Sequence, residues 1–230
     1  NGFIEIHSPK LMSSPSESNA ELFKLEYFET VAYLAQSPQF YKQMAMMAGF
    51  GRIFEIGPVF RADPSFTSRH ATEFTSVDME VSYIDSHEDI MKIQEDLMVA
   101  AIKAVKEKHG AEIEKLYGFE LVVPTTPFPR IPLAEAIDIV AKRGHEITRG
   151  GDMDPEGERQ IAAHVMETYN HEFVFLTDYP STVRPFYHMR HADDQTLTKS
   201  YDLIWRGTEI TTGAQREHRV DVLIEQIKQK

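Results

Sequence analysis

Apolar and polar residues alternate with a period of two in IFEIGPVF (53–60) and again in FTSVDMEVSY (74–83), so two strands flank residues 61–73. The same reading makes GFIEIHSP a strand ended by Pro9 and LEYFETVAYLAQ strand material. Between them LMSSPSESNAEL is a polar, serine-rich loop with Glu17 in its middle. SPQFYKQMAMMAGFG predicts a helix, with Ser37 as N-cap, Pro38 at the first helical position, and Gly49 or Gly51 closing it. A second, longer helix starts at a cap on Asp85 or Ser86. Its apolar residues Ile90, Ile93, Leu97, Ala101, Ile102 and Val105 follow the 3.6-residue period, and Gly110 is expected to end it.

Residues 111–171 change character. A proline-rich stretch, VVPTTPFPRIP, leads to two short helices separated by a loop with Gly150, Gly151 and Pro155. This span reads as a helical insertion rather than a separate domain. EFVFLTDYP, RPFYHMR, KSYDLIWRG and TEITTGAQREH then return to strand-like patterns with turn residues between them. Strict strand–helix alternation is absent. The order predicts an α+β fold, a mainly antiparallel sheet flanked by helices.

Composition narrows the class. The chain has 230 residues and formal net charge −12, with a sequence pI near 5.3, which argues against a general nucleic-acid binder. There is no cysteine, which excludes disulfides and thiolate metal sites and favours the cytoplasm. No apolar run reaches the roughly 18 residues a membrane span needs. The start in mid-strand, without methionine or signal peptide, and the stop in an uncapped helical pattern read as an excised domain.

Against this acidic background FRADPSFTSRHATEF is unusual. It gathers Arg61, Arg69 and His70 beside Asp63 and Glu73, between two strands. Other candidate chemistry is scattered. Asp202 and Glu209 flank a turn at Gly207 and can share a hairpin face; two carboxylates aimed at one spot suit Mg²⁺, and they also suit plain solvated strand ends. Arg216 in GAQR offers a planar fork for a carboxylate, or is a surface arginine. Gln39 and Lys42 share a face near a helix start, which suits an anion or solvent. Met44, Met46 and Met47 read as core filler, and His164, His171, His188 and His191 as structural.

Taken together, these stretches resemble the catalytic domain of the class II aminoacyl-tRNA synthetases, closest to the aspartyl enzymes of archaeal and eukaryotic kind. GFIEIHSPKL is similar to the end of the first class motif, and IFEIGPVFRADPSFTSRHATEFTSVDMEVS to the second. SESNAELF, YLAQSPQFYKQ and SYDLIWRGTEITTGAQR look like the aspartyl subgroup. The resemblance implies that Arg61 binds the ATP α-phosphate, that Arg69 and His70 lie near the phosphates and the tRNA end, and that Phe74 stacks on adenine. It implies that Glu17, Gln39, Asp78 and Thr212 hold the amino acid, that Lys42 and Arg216 pair with its side-chain carboxylate, and that Asp202 and Glu209 hold Mg²⁺ on ATP. No side-chain nucleophile is needed, since the substrate carboxylate attacks.

The implied activity is ligation of L-aspartate to tRNA(Asp) at the expense of ATP, with tRNA(Asn) open as a second acceptor and a homodimer as the assembly. Two alternatives stand beside it: a tRNA-independent ligase of the asparagine-synthetase-A kind, and a non-catalytic synthetase-like protein. Asp63 stands where the family usually has Glu, and serines replace glycines in the loop around Glu17. The third class motif does not occur before Lys230, and the anticodon-binding barrel is missing. The resemblance therefore covers a partial catalytic domain, residues 1–230, with 111–171 as an insertion within it.

Overall fold

The computed structural model describes residues 2–15, 22–62 and 71–229. They divide into two units, 1–84 and 85–230. The fold is α+β, with mainly antiparallel sheets and helices packed on them.

The first unit holds two three-stranded sheets. In one, β5 (Arg52–Phe60) is central, antiparallel to β6 (Glu73–Val81) and parallel to the short β1 (Ile4–Glu5). β1 pairs only with Ile53 and Phe54. Pro58, which has no N–H to donate, thus lies where β5 has a single strand neighbour. The other sheet sets β4 (Thr30–Leu34) between β2 (Leu11–Met12) and β3 (Lys24–Tyr27). Helix α1 (Gln39–Met47) follows; Ser37 Oγ accepts from the Gln39 N–H at 3.1 Å, although Pro38 and not Ser37 occupies the cap position. Gly49, at φ 95°, takes the left-handed turn after the helix. Met44 and Met47 are exposed, at 57% and 81%, which corrects their reading as core filler.

The second unit is built on one four-stranded sheet in the order β10 (Thr208–Ala214), β9 (Ser200–Trp205), β8 (Phe173–Thr177), β7 (Arg130–Pro132). Only the β7–β8 pairing is parallel. Side-chain alternation divides its core. Val174, Leu176 and Ile204 face α3 (Leu133–Lys142) and α4 (Pro155–Tyr169), which bury Ile137, Val140, Ile161 and Val165 against them. Phe173, Phe175, Tyr201 and Leu203 point the other way, into a cluster with Met91 and Ile102 of α2 (His87–Tyr117). Covered on both faces, all five residues of β8 are buried, and each large apolar side chain there stabilises the fold by about 1.5–3 kcal/mol.

Two boundaries differ from expectation. Ser86 caps α2 in a capping box with Asp89, but the helix runs through Gly110 to Tyr117, and Gly118 at φ 72° ends it. One interior glycine costs a helix only about 1 kcal/mol. RPFYHMR forms no strand. It is held by isolated bridges, His188 to Arg216 and Arg190 to Thr198, and by α5 (Val220–Lys228), whose Gln226 donates to the Phe186 carbonyl. Residues 111–171 comprise the end of α2, β7, α3 and α4, whose apolar faces help build the sheet core.

Candidate active-site residues

In the first unit, β5 and β6 pair with Glu55 opposite Asp78 and Ile53 opposite Glu80. Period-two alternation therefore puts Glu55, Gly57, Ser76, Asp78 and Glu80 on one face, with Phe74 farther along it. Helix α1 brings Gln39 and Lys42 to this face, both buried. The Lys42 ammonium contacts the Asp78 carboxylate, lies 3.2 Å from Glu80 Oε2 and donates to the Met79 carbonyl at 3.3 Å. Gln39 Nε2 donates to Glu80 at 3.5 Å, and Ser76 Oγ to Asp78 at 3.3 Å. All three ammonium donors of Lys42 thus meet acceptors of the protein itself.

A second lysine stands beside the first. Lys10 Nζ is 2.6 Å from Glu55 Oε1, and Ser8 supplies both its N–H and its Oγ to the same carboxylate. Burial alone would raise the Glu55 carboxyl; the Lys10 and Ser8 hydrogen bonds outweigh it and hold the group below its usual value. Glycine at 57 makes room for this network, since a Cβ there would come within 3.2 Å of Glu55 Oε1. At the far end of β5 the Arg61 N–H continues the ladder to the Thr72 carbonyl, and its guanidinium lies 5.4 Å from the Phe74 ring centre. Both residues stand at the mouth of the loop. Asp63, Arg69 and His70 within that loop, and Glu17 on the serine-rich one, lie outside the described residues.

The second unit carries the carboxylate pair. β9 and β10 join through Arg206 and Gly207, both at positive φ, the two-residue turn that matches strand twist. A bulge between Glu209 and Thr211 shifts the register. Glu209 pairs with Ile204 and Thr212 with Asp202, so Asp202, Glu209 and Thr212 share the α4-facing side of the hairpin. Gln94 of α2 meets Thr211 from the opposite side, at 3.1 Å. Asp202 is 4% exposed. Its Oδ2 accepts from Arg184, whose guanidinium carbon lies 3.6 Å from the Tyr179 ring centre. Its Oδ1 is buried and has no hydrogen-bond partner among the described residues.

Loss of hydration, then the charge of Asp202, pushes the Glu209 carboxyl up to about 7, with Glu158 and Asp152 adding to it and Arg184 opposing. Glu209 as a residue remains exposed, so the neighbouring negative charge is the firmer cause. A buried, unpartnered carboxylate oxygen beside a second carboxylate is the donor chemistry a hard divalent cation takes. Among the described residues no group of three or more His, Asp or Glu converges as metal ligands.

Arg216 stacks over Tyr187, 4.4 Å from its ring centre, next to His188. Burial, then Arg216 and Arg184, drive the His188 imidazole down to about 3, so it is neutral beside these cations. Thr212 Oγ1 donates to the Tyr201 carbonyl at 3.4 Å.

Of the sequence candidates, Lys42 and Asp78 meet directly and Gln39 joins them through Glu80; Arg61 and Phe74 also meet. Asp202, Glu209 and Thr212 share one hairpin face. Glu80 was missed, although its position two residues beyond Asp78 on a strand could have pointed to it. Arg184 and Tyr179 carry no local signal: both lie in the connection between β8 and β9, and the partner they share, Asp202, lies on β9.

In the first unit, a buried lysine among carboxylates and an arginine beside an aromatic ring suit a substrate with both anionic and cationic groups; in the second, the acidic hairpin suits a cation. The family model for class II tRNA synthetases (D, K and N) matches residues 1–230, and the chain belongs to that family. It is 47% identical over 231 residues to the aspartate–tRNA(Asp/Asn) ligase of Aeropyrum pernix, covering 100% of this chain and 52% of that protein. It is 46% identical over 229 residues to the aspartate–tRNA(Asp) ligase of Pyrococcus abyssi, again covering 100% and 52%. The crystal structure of asparaginyl-tRNA synthetase from Pyrococcus horikoshii complexed with asparaginyl-adenylate superposes with a TM-score of 0.87 at 33% identity, over 99% of this chain and 52% of that one. The chain spans about half the length of the curated relatives it matches.

Proposed function

We propose that the protein carrying this chain activates L-aspartate with ATP to aspartyl-adenylate and transfers it to tRNA(Asp), working in the cytoplasm as a homodimer. The observation that carries this reading is the buried Lys42 ammonium set among Gln39, Asp78 and Glu80. Such a cluster offers an amino acid carboxylates for its ammonium and a cation for its side-chain carboxylate. In this reading Gln39, Asp78 and Thr212 hold the amino acid, and Lys42 and Arg216 read its carboxylate. Lys42 then exchanges part of its contact with Asp78 or Glu80 for the substrate. Arg61 neutralises charge on the α-phosphate and Phe74 stacks on the base, joined by Asp63, Arg69 and His70; Glu17 covers the ammonium. Asp202 and Glu209 hold Mg²⁺, which when bound neutralises phosphate charge. Residues 111–171 serve as a helical insertion in a partial catalytic domain.

Asparagine is the rival substrate, favoured by the likeness to the Pyrococcus horikoshii enzyme. ATP–pyrophosphate exchange by the full-length protein decides between them. Aspartate should drive exchange and asparagine should not; equal exchange with asparagine overturns the aspartyl reading. Charging purified tRNA(Asp) and tRNA(Asn) then shows whether one or both are acceptors.

A further inference from the structure

Arg184 has no part in the proposed function, yet it pairs directly with Asp202 of the acidic hairpin. It lies between β8 and β9, far from Asp202 in sequence, and its side chain is only 12% exposed. One guanidinium nitrogen donates to Asp202 Oδ2, the Tyr179 ring lies flush against the guanidinium carbon, and Nε is buried without a partner. The aromatic ring fixes the fork in place, so the positive charge cannot swing out to solvent. Glu209, Glu158 and Asp152 complete the charged surroundings.

We propose that Arg184 is a positioning residue that serves as the resident cation of the Asp202–Glu209 pair. Through Asp202 Oδ2 it offsets part of their negative charge while no metal is bound, and it keeps a divalent cation from settling there before nucleotide phosphates bring further negative charge. The inference rests on the reading that Asp202 and Glu209 hold the cation. A fixed positive charge against one oxygen of Asp202 repels a dication approaching the other oxygen of the same group. A buried pair that needs one positive charge already has it. The triphosphate supplies the excess negative charge that makes a second cation favourable.

The test is a Mn²⁺ titration of the full-length protein without nucleotide, read by the electron paramagnetic resonance signal of free Mn²⁺. Arg184→Gln keeps a hydrogen-bond donor and removes the charge. It should bind Mn²⁺ at least about tenfold more tightly than wild type, the equivalent of about 1.4 kcal/mol. Arg184→Lys, which keeps the charge, should stay near wild type. A merely structural role predicts weaker binding, because damage to the site does not create affinity. Unchanged or weaker Mn²⁺ binding by Arg184→Gln overturns the proposal. Should that variant fail to fold, Tyr179→Leu frees the guanidinium and should tighten binding in the same direction; no gain there overturns it equally. Adding Asp202→Ala to Arg184→Gln should abolish the gain. A gain that survives Asp202→Ala refutes the cation reading itself.

Discussion

Replacing Lys42 with Met isolates the electrostatics of the first-unit cluster. Methionine fills nearly the same volume and removes the charge together with its hydrogen-bond donors. The Lys42 side chain is 6% exposed, Asp78 23% and Glu80 16%. At the 3.2 Å separation from Glu80, an effective dielectric near 20 gives a gross attraction of about 5 kcal/mol. Dehydration of the three groups offsets much of it. Removing one partner of a buried pair nevertheless costs about 3–5 kcal/mol, because the remaining charges are stranded. Asp78 and Glu80 keep some water, which moves the expectation to the lower end, about 3 kcal/mol. Urea denaturation of the full-length protein, followed by circular dichroism, measures it. The triple variant Lys42→Met, Asp78→Asn, Glu80→Gln removes the stranded charges and should recover at least half of the loss, as a coupled cluster requires. A single variant as stable as wild type, or a triple variant no better than the single one, refutes the reasoning.

Gly213→Ala should destabilise by about 1–3 kcal/mol through overpacking, since the new Cβ would lie 2.3 Å from the buried Tyr201 hydroxyl and 2.4 Å from the ring carbon that bears it; urea melts measure the loss, and a variant as stable as wild type refutes the close approach. His188, whose folded pKa is depressed to about 3 from 6.5, holds fewer protons folded than unfolded between those values. Its contribution is therefore complete above pH 6.5 and is lost as pH falls towards 3, by up to about 1.4 kcal/mol per pH unit. Thermal melts should show His188→Gln losing less stability than wild type between pH 6.5 and pH 4.5; parallel losses refute the depressed pKa. Arg216→Leu should weaken aspartate binding roughly 30-fold or more while leaving ATP affinity nearly unchanged, as loss of a charged hydrogen-bonded partner costs about 2–5 kcal/mol. Calorimetry reads both affinities, and equal aspartate binding refutes the role given to Arg216.

Much of this was legible along the chain because it depends on near neighbours. Alternation found β5, β6, β9 and β10, and the Ser86 capping signal found the start of α2. The second-motif pattern placed Arg61 and Phe74, and the spacing about Gly207 put Asp202 and Glu209 on one hairpin. What stayed hidden depends on long-range contact. Gly110 looks like a helix stop, but α2 continues past it because its apolar face packs on Phe173 and Leu203. RPFYHMR alternates like a strand, yet no neighbouring strand takes up its hydrogen bonds beyond single bridges. Arg184 is silent in the sequence because its partners, Tyr179 and Asp202, are brought to it only by the fold. The engagement of Lys42 by Glu80 as well as Asp78 was equally a matter of which strand face α1 meets.

The bulge in β10 works like a reading frame in space. Ahead of it, Glu209 faces the acidic side with Asp202; beyond it, the extra residue turns Thr212 to that same side and Thr211 to the other, where Gln94 waits. Gly213 then falls opposite Tyr201, where a Cβ would meet the tyrosine ring. Closing the bulge with Ile210 retained, so that Ile210 paired with Leu203, would leave each downstream side chain chemically intact but facing the wrong side. Thr212 would then point at α2 and drive its Cβ towards Tyr201, while Gly213 moved opposite Ser200. Whether Ile210 stays out of the ladder, more than the identity of any residue beyond it, therefore decides which side chains of β10 share a face with Asp202.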